Sequence, residues 1–270
     1  MPDSPARVLW LFSLIRSGSS IAAYAAAAPW NHAVADEPFG PWDRTGEPYN
    51  YPRVQDDLQR EFGLASHQLT SRVVGLADAL FASLASPSPA TLSPKSSGTV
   101  IVKIPHHVPT PAQIAHAWPL HRAAFLLRNP LHRLNSLYVR GWLDPSPIGP
   151  NHDLEQYRGF ARAWLAQPAH LRVTYDMIRH APAEMYRRLF IAWGLSFTRE
   201  HIDRAVAYAS GNYHHASKQV TTEHDTKKVL SESRNALPAE AVRAYLADAE
   251  MRELFRVAGW STDAREYLTP

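Results

Sequence analysis

Apolar positions along this chain fall in short runs broken by polar, small-residue turns. The first run, Val8-Leu9-Trp10-Leu11-Phe12-Ser13-Leu14-Ile15, mixes β-branched and aromatic residues. A short run of that kind predicts a central strand of a parallel sheet. Arg16-Ser17-Gly18-Ser19-Ser20 interrupts it, and the alanine-rich Ile21 to Ala28 predicts a helix. His32 to Asp36 predicts a short second strand. Thr99-Val100-Ile101-Val102-Lys103-Ile104, Arg122-Ala123-Ala124-Phe125-Leu126-Leu127 and Leu171-Arg172-Val173-Thr174-Tyr175 predict three more. Helices are expected over Val54 to Phe62 and over Ser66 to Leu84, where Leu69, Val73, Leu76, Leu80 and Leu84 recur at helical spacing. Further helices are expected near Pro111 to Trp118, from Pro130 through Tyr138, and over Asp153 to Ala166. Then come Met177 to Trp193, capped by Asp176 and stopped at Gly194, Thr198 to Ser210, and Pro238 to Ala258. Strands alternating with helices predict an α/β chain. Its central, mostly parallel sheet has about five strands, covered on both faces.

Length and charge narrow the class. The 270 residues suit one domain over 1–270. Ser86 to Gly98, rich in serine and proline, reads as a flexible internal linker. Phe39 to Pro52 reads as irregular, and Gly211 to Asn235 as a polar, basic loop with Lys218, Lys227 and Lys228. The net charge of +3 comes without a long basic block, so nucleic acid is not an expected partner. The absence of cysteine excludes a disulfide framework and a thiolate nucleophile, and fits a cytoplasmic protein. The first apolar run is shorter than the roughly 20 residues that span a bilayer. It reads as a core strand rather than a signal peptide or membrane span. No His-Glu-x-x-His occurs among the histidines.

The turn after the first strand is the candidate chemistry. A strand, a small-residue turn and a helix N-terminus present unpaired N–H groups and positive dipole potential to an anion. Ser17, Ser19 and Ser20 add hydroxyl donors, and Arg16 adds a charged fork. The alternative is a strand–turn–helix corner whose serines merely cap the helix. The turn lacks the Gly-Lys pair of the ATP-binding P-loop and the Gly-x-Gly-x-x-Gly of dinucleotide sites. Ligands of open parallel sheets bind beyond the carboxyl ends of strands. If the first two strands are parallel neighbours, Glu37 and Arg16 point into one crevice; the alternative reading of Glu37 is a solvated loop acid.

Three separated pieces resemble the sulfotransferases that use 3′-phosphoadenosine 5′-phosphosulfate (PAPS). Arg16-Ser17-Gly18-Ser19-Ser20 is similar to the family's 5′-phosphosulfate loop, in the arginine form of the carbohydrate enzymes and their bacterial relatives. Leu126-Leu127-Arg128-Asn129-Pro130 with Ser136 resembles the 3′-phosphate motif, an Arg-x-Pro followed by a serine on the next helix. Val173-Thr174-Tyr175-Asp176-Met177-Ile178, with Trp193-Gly194-Leu195 after it, resembles the Tyr-Glu-Asp-Leu segment, although its glutamate is missing here. The resemblance covers roughly Val8 to Ser196. It implies a three-layer, P-loop-NTPase-like α/β sandwich and a nucleotide-binding transferase. PAPS is the implied co-substrate and PAP the product, with no metal expected. Arg16, Ser17, Gly18, Ser19, Ser20, Arg128, Ser136 and Tyr175 are the implied donor contacts. The loop at 211–235 sits where relatives close over the nucleotide.

The expected activity is transfer of a sulfuryl group from PAPS to a hydroxyl or amine of a small-molecule, sugar or lipid acceptor. The alternatives are a non-catalytic nucleotide- or phosphate-binding module on the same fold and, disfavoured by the turn, a kinase. By analogy with phosphoryl transfer, positioning and charge stabilisation dominate, with Arg16 and Lys103 at the leaving phosphate. Two residues compete as the base. Glu37 stands 21 residues after Arg16 in a Glu-Pro pair, as in the carbohydrate enzymes. His106, in Lys103-Ile104-Pro105-His106, resembles the Lys-x-His of the cytosolic enzymes with one extra residue, and His107 has an equal claim. Histidine has the better intrinsic pKa, near 6.5 against about 4.3; spacing and loop type favour Glu37. Trp30, Phe39, Trp42, Tyr49 and Tyr51 line an acceptor pocket or pack as core.

Overall fold

The computed structural model describes residues 7–36, 71–85, 98–105, 111–139, 141–143, 148–210 and 236–268. Among these residues, five strands form one sheet: β1 (Arg7–Phe12), β2 (Ala33–Asp36), β3 (Thr99–Ile104), β4 (Arg122–Leu127) and β5 (Arg172–Thr174). All pairings are parallel, in the order β2-β3-β1-β4-β5. With a polar turn and helix after the central β1, this is a P-loop-like α/β arrangement. The expected helix at 54–62, the irregular segment at 39–52, the linker at 86–97 and the loop at 211–235 lie outside the described residues.

Side chains alternate across the sheet and divide it between two helical layers. Val8, Trp10 and Phe12 of β1 point to one layer, with Val100, Val102 and Ile104 of β3. That layer contains α2 (Ser71–Ala85), α3 (Pro111–Ala117), α4 (Pro130–Val139), α5 (Ile148–Leu165), α9 (Ala239–Ala247), α10 (Ala249–Ala258) and α11 (Arg265–Leu268). Leu9 and Leu11 point the other way, with Ile101, Leu126 and Val173. They meet α1 (Ser19–Ala27), α7 (Pro182–Ala192) and α8 (Arg199–Ser210). The fully buried alanines of α1, Ala22, Ala23, Ala25 and Ala26, let that helix sit close against the strands. The short α6 (Tyr175–His180) follows β5 directly.

Strand order does not meet one condition that the sequence posed. β1 and β2 are not neighbours: β3 lies between them, and among the described residues β2 pairs with β3 alone. The crevice where connections diverge therefore lies between the carboxyl ends of β1 and β4.

Three helix boundaries also differ. The helix expected over 177–193 is broken. Ala181 leaves the helical region at φ −145° ahead of Pro182, which opens α7 at its first turn. Asp176 is not the cap of that stretch. Thr174 holds the cap position of α6, and Asp176 in its first turn accepts the Trp260 indole N–H at 2.6 Å. The helix expected over 238–258 is split at Asp248, whose carboxylate accepts the Met251 N–H at 3.0 Å and starts α10. Finally, α5 begins at Ile148, ahead of the expected Asp153.

Candidate functional site

β1 runs one residue past its strand, with the Ser13 N–H on the Ile104 carbonyl at 3.0 Å, and then turns sharply. The turn needs two left-handed residues, Arg16 at φ 65° and Gly18 at φ 81°. A non-glycine residue there stores about 1–3 kcal/mol of strain unless its surroundings hold it. Arg16 is held on both sides. Arg133 Nε donates to the Ile15 carbonyl at 2.9 Å, and Arg128 Nη1 donates to the Arg16 carbonyl at 2.9 Å. Gly18 is the N-cap of α1, and its carbonyl accepts from the Ala22 N–H at 3.1 Å. A Cβ at residue 18 would lie 2.3 Å from Cδ2 of Tyr175. Backbone conformation and close approach thus each require glycine.

Cations converge on this turn from three strand ends. Arg16 Nε donates to Ser136 Oγ at 3.2 Å, and its guanidinium carbon lies 5.4 Å from the Trp142 ring centroid. Arg128, the residue after β4, stacks over Tyr175, the residue after β5, at 4.4 Å. Lys103 alternates to the α1 side of β3 and donates to Ser20 Oγ at 2.8 Å while only 2% exposed. The Ser17 hydroxyl is buried without a hydrogen-bond partner among the described residues. A buried hydroxyl left unmatched is rare in a finished core, and here it stands at a helix N-terminus surrounded by cations. Together these groups form a cationic cradle at the N-terminus of α1.

Beneath the cradle lies a polar layer that the sequence reading missed. Arg133 is buried and bonds both oxygens of Asp153, at 2.8 and 2.7 Å. Tyr245 donates to the same carboxylate at 2.7 Å, and Tyr157 donates to the Arg128 carbonyl. Burial holds both phenols well above their usual pKa, so they remain donors. Asn129 caps α4, its side-chain oxygen accepting the Leu131 and His132 N–H groups at 3.0 and 3.3 Å. Its amide donates to Tyr267 Oη at 3.0 Å, which ties the C-terminal α11 to the start of α4.

Nine of the expected residues therefore meet in one place: Arg16, Ser17, Gly18, Ser19, Ser20, Lys103, Arg128, Ser136 and Tyr175. Glu37, His106 and His107 lie outside the described residues, as do Phe39, Trp42, Tyr49 and Tyr51. Trp30 is a packing residue at the far end of α1. It stacks on His32 and His201, with ring centroids at 5.3 and 4.6 Å, and meets Phe190 edge-on. Among the described residues, no helix is long and apolar enough to cross a membrane.

No family model matches the sequence, and no curated protein matches it. Solved structures do resemble it. The sulfotransferase domain of the Synechococcus PCC 7002 olefin synthase superposes with a TM-score of 0.48 at 17% identity, over 96% of this chain and 98% of that one. Retinol dehydratase, in complex with androsterone and the inactive cofactor PAP, gives 0.47 at 14% identity, over 93% and 82%. Mouse SULT7A1 complexed with PAP gives 0.48 at 11% identity, over 98% and 89%. These are likenesses in the arrangement of the chain, not in activity or acceptor.

Proposed function

We propose that this protein is a PAPS-dependent sulfotransferase. It moves a sulfuryl group from the donor to a hydroxyl or amine of a small-molecule, sugar or lipid acceptor. The support is the meeting of two motifs 112 residues apart in one cradle, where Arg128 donates to the Arg16 carbonyl and Arg16 to Ser136. A nucleotide with phosphates on both sides of its ribose requires two cationic arms at a fixed spacing. The first arm is Arg16 with Ser17, Gly18, Ser19, Ser20, Lys103 and the N-terminus of α1. The second is Arg128 with Ser136, and Tyr175 lends its ring to the base.

In this reading Arg16, Lys103 and the first N–H groups of α1 stabilise the charge that grows on the 5′-phosphate. That charge appears as the sulfur–oxygen bond to the phosphate breaks and the bond to the acceptor oxygen or nitrogen forms. A base takes the acceptor's proton, which balances the transfer. Glu37 is the preferred base. β2 reaches the carboxyl edge at Asp36, in register with Lys103, so the strand ends one residue before Glu37. His106 is the competing base. Glu37→Gln is expected to cut turnover while leaving donor binding intact; full turnover in that variant transfers the role to His106.

The deciding experiment is calorimetric titration of 3′,5′-ADP, with ATP for comparison, into the wild type and Arg128→Ala. Binding that prefers 3′,5′-ADP and collapses in the variant supports the donor site. Preference for ATP, or no binding, overturns it. Binding without transfer of labelled sulfate to any acceptor in a broad panel favours the non-catalytic nucleotide-binding module.

A further inference from the structure

Both arms of the cradle are anchored through their backbones, and both anchors lead to one helix. Tyr157 of α5 donates to the carbonyl of Arg128, the residue whose guanidinium forms the second arm. Asp153, one helical turn earlier, holds Arg133 with two hydrogen bonds. Arg133 in turn donates to the carbonyl of Ile15, immediately before the left-handed Arg16. Residues four apart on a helix share a face, so one face of α5 addresses both arms. The Arg133 and Asp153 side chains are 1% and 5% exposed, and Tyr157 is fully buried.

Stability alone accounts poorly for this layer. A buried ion pair is often matched or bettered by apolar residues of the same volume. Placed here, its hydrogen bonds end on the two carbonyls that set where the cationic arms stand. Preorganised charge is worth most when its position is fixed before the ligand arrives.

We propose that α5 is the positioning element of the donor site. Tyr157 sets the 3′-phosphate arm through Arg128, and Asp153 sets the 5′-phosphate arm through Arg133 and the Ile15–Arg16 turn. This inference rests on the donor reading above. Neither Tyr157 nor Asp153 touches the nucleotide; each acts through the residue it holds.

Titration of 3′,5′-ADP and of 5′-AMP into the same variants tests it, because only the first ligand carries the 3′-phosphate. Tyr157→Phe keeps the ring and the volume and removes the hydroxyl. It is expected to weaken 3′,5′-ADP about five- to tenfold, the effect of one hydrogen bond, while 5′-AMP changes less than about twofold. Asp153→Asn is expected to weaken both ligands together, since both use the 5′ arm. A merely structural role for Tyr157 lowers both affinities equally or neither, and either result in a folded Tyr157→Phe overturns the proposal. Should Asp153→Asn not fold, the Tyr157→Phe selectivity ratio decides alone. If the wild type does not bind 3′,5′-ADP, the donor reading itself falls. That failure is distinct from a wild type that binds with an unchanged ratio in Tyr157→Phe.

Discussion

Arg128 lies across the face of Tyr175, with the guanidinium carbon 4.4 Å from the ring centroid, and the other side of the site closes where that ring meets Gly18. The ring is therefore a wall shared by both cationic arms. Gly18→Ala adds a methyl 2.3 Å from Tyr175 Cδ2 and forces alanine to φ 81°. The combined strain and overpacking are expected to destabilise the fold by roughly 2–4 kcal/mol, read by urea unfolding. In a Tyr175→Ala background the clash disappears and only the backbone term remains. The second Gly18→Ala penalty should then be clearly smaller, and equal penalties in the two backgrounds would show that the ring is not the obstacle.

Lys103 tests whether the cradle is built for function at the expense of stability. Its ammonium is buried on the α1 side of β3 against Ser20. An apolar side chain of similar length avoids the desolvation of a buried charge. Under the proposed function, Lys103→Met is expected to lower sulfuryl transfer at least about tenfold, as for loss of one charge-stabilising group, while Tm stays unchanged or rises. A variant with lowered Tm and unchanged transfer would make Lys103 a structural residue.

Local features of this site were legible in the sequence and long-range ones were not. The polar Arg16-Ser17-Gly18-Ser19-Ser20 stands out because it separates an apolar strand from an alanine run. The inward side of Lys103 follows from strand alternation. Asn129 before Pro130 is a readable helix-start signal, and Pro182 is a break signal that the expected helix over 177–193 runs through. The insertion of β3 between β1 and β2 is decided by pairing between distant segments, to which hydrophobic pattern is blind. The same holds for the Arg133–Asp153 pair and for Asp176 with Trp260, 84 residues away. Nothing local marks those charges as buried; the packing of α4, α5 and the C-terminal helices does.

Burial, not bond length, should rank the ion pairs of this protein. Arg133–Asp153 and Arg162–Glu250 are both short, at 2.7 and 2.5 Å, yet the first is almost fully buried and the second is exposed. Asp153→Ala leaves a buried guanidinium without its carboxylate and is expected to destabilise by about 3–5 kcal/mol. Arg162→Ala is expected to leave Tm within experimental scatter. Comparable shifts in the two variants, measured by thermal and urea unfolding, would contradict this ordering.

His32 should make the fold acid-sensitive at the end away from the site. Burial first, and the nearby Arg7 charge second, hold its pKa down to about 4, against an ordinary 6.5. The folded form therefore binds fewer protons than the unfolded form between these values. Its contribution is complete above pH 6.5 and is lost as pH falls toward 4, by at most about 3 kcal/mol. His32→Phe keeps a ring to stack on Trp30 and removes the titration. Urea unfolding at several pH values from 7 to 4 should then give a flatter stability profile than the wild type. Carboxylates that titrate in the same range contribute to both proteins, so the difference between the curves isolates His32. Parallel curves would mean that the imidazole finds a proton acceptor on acidification and that its burial does not govern the response.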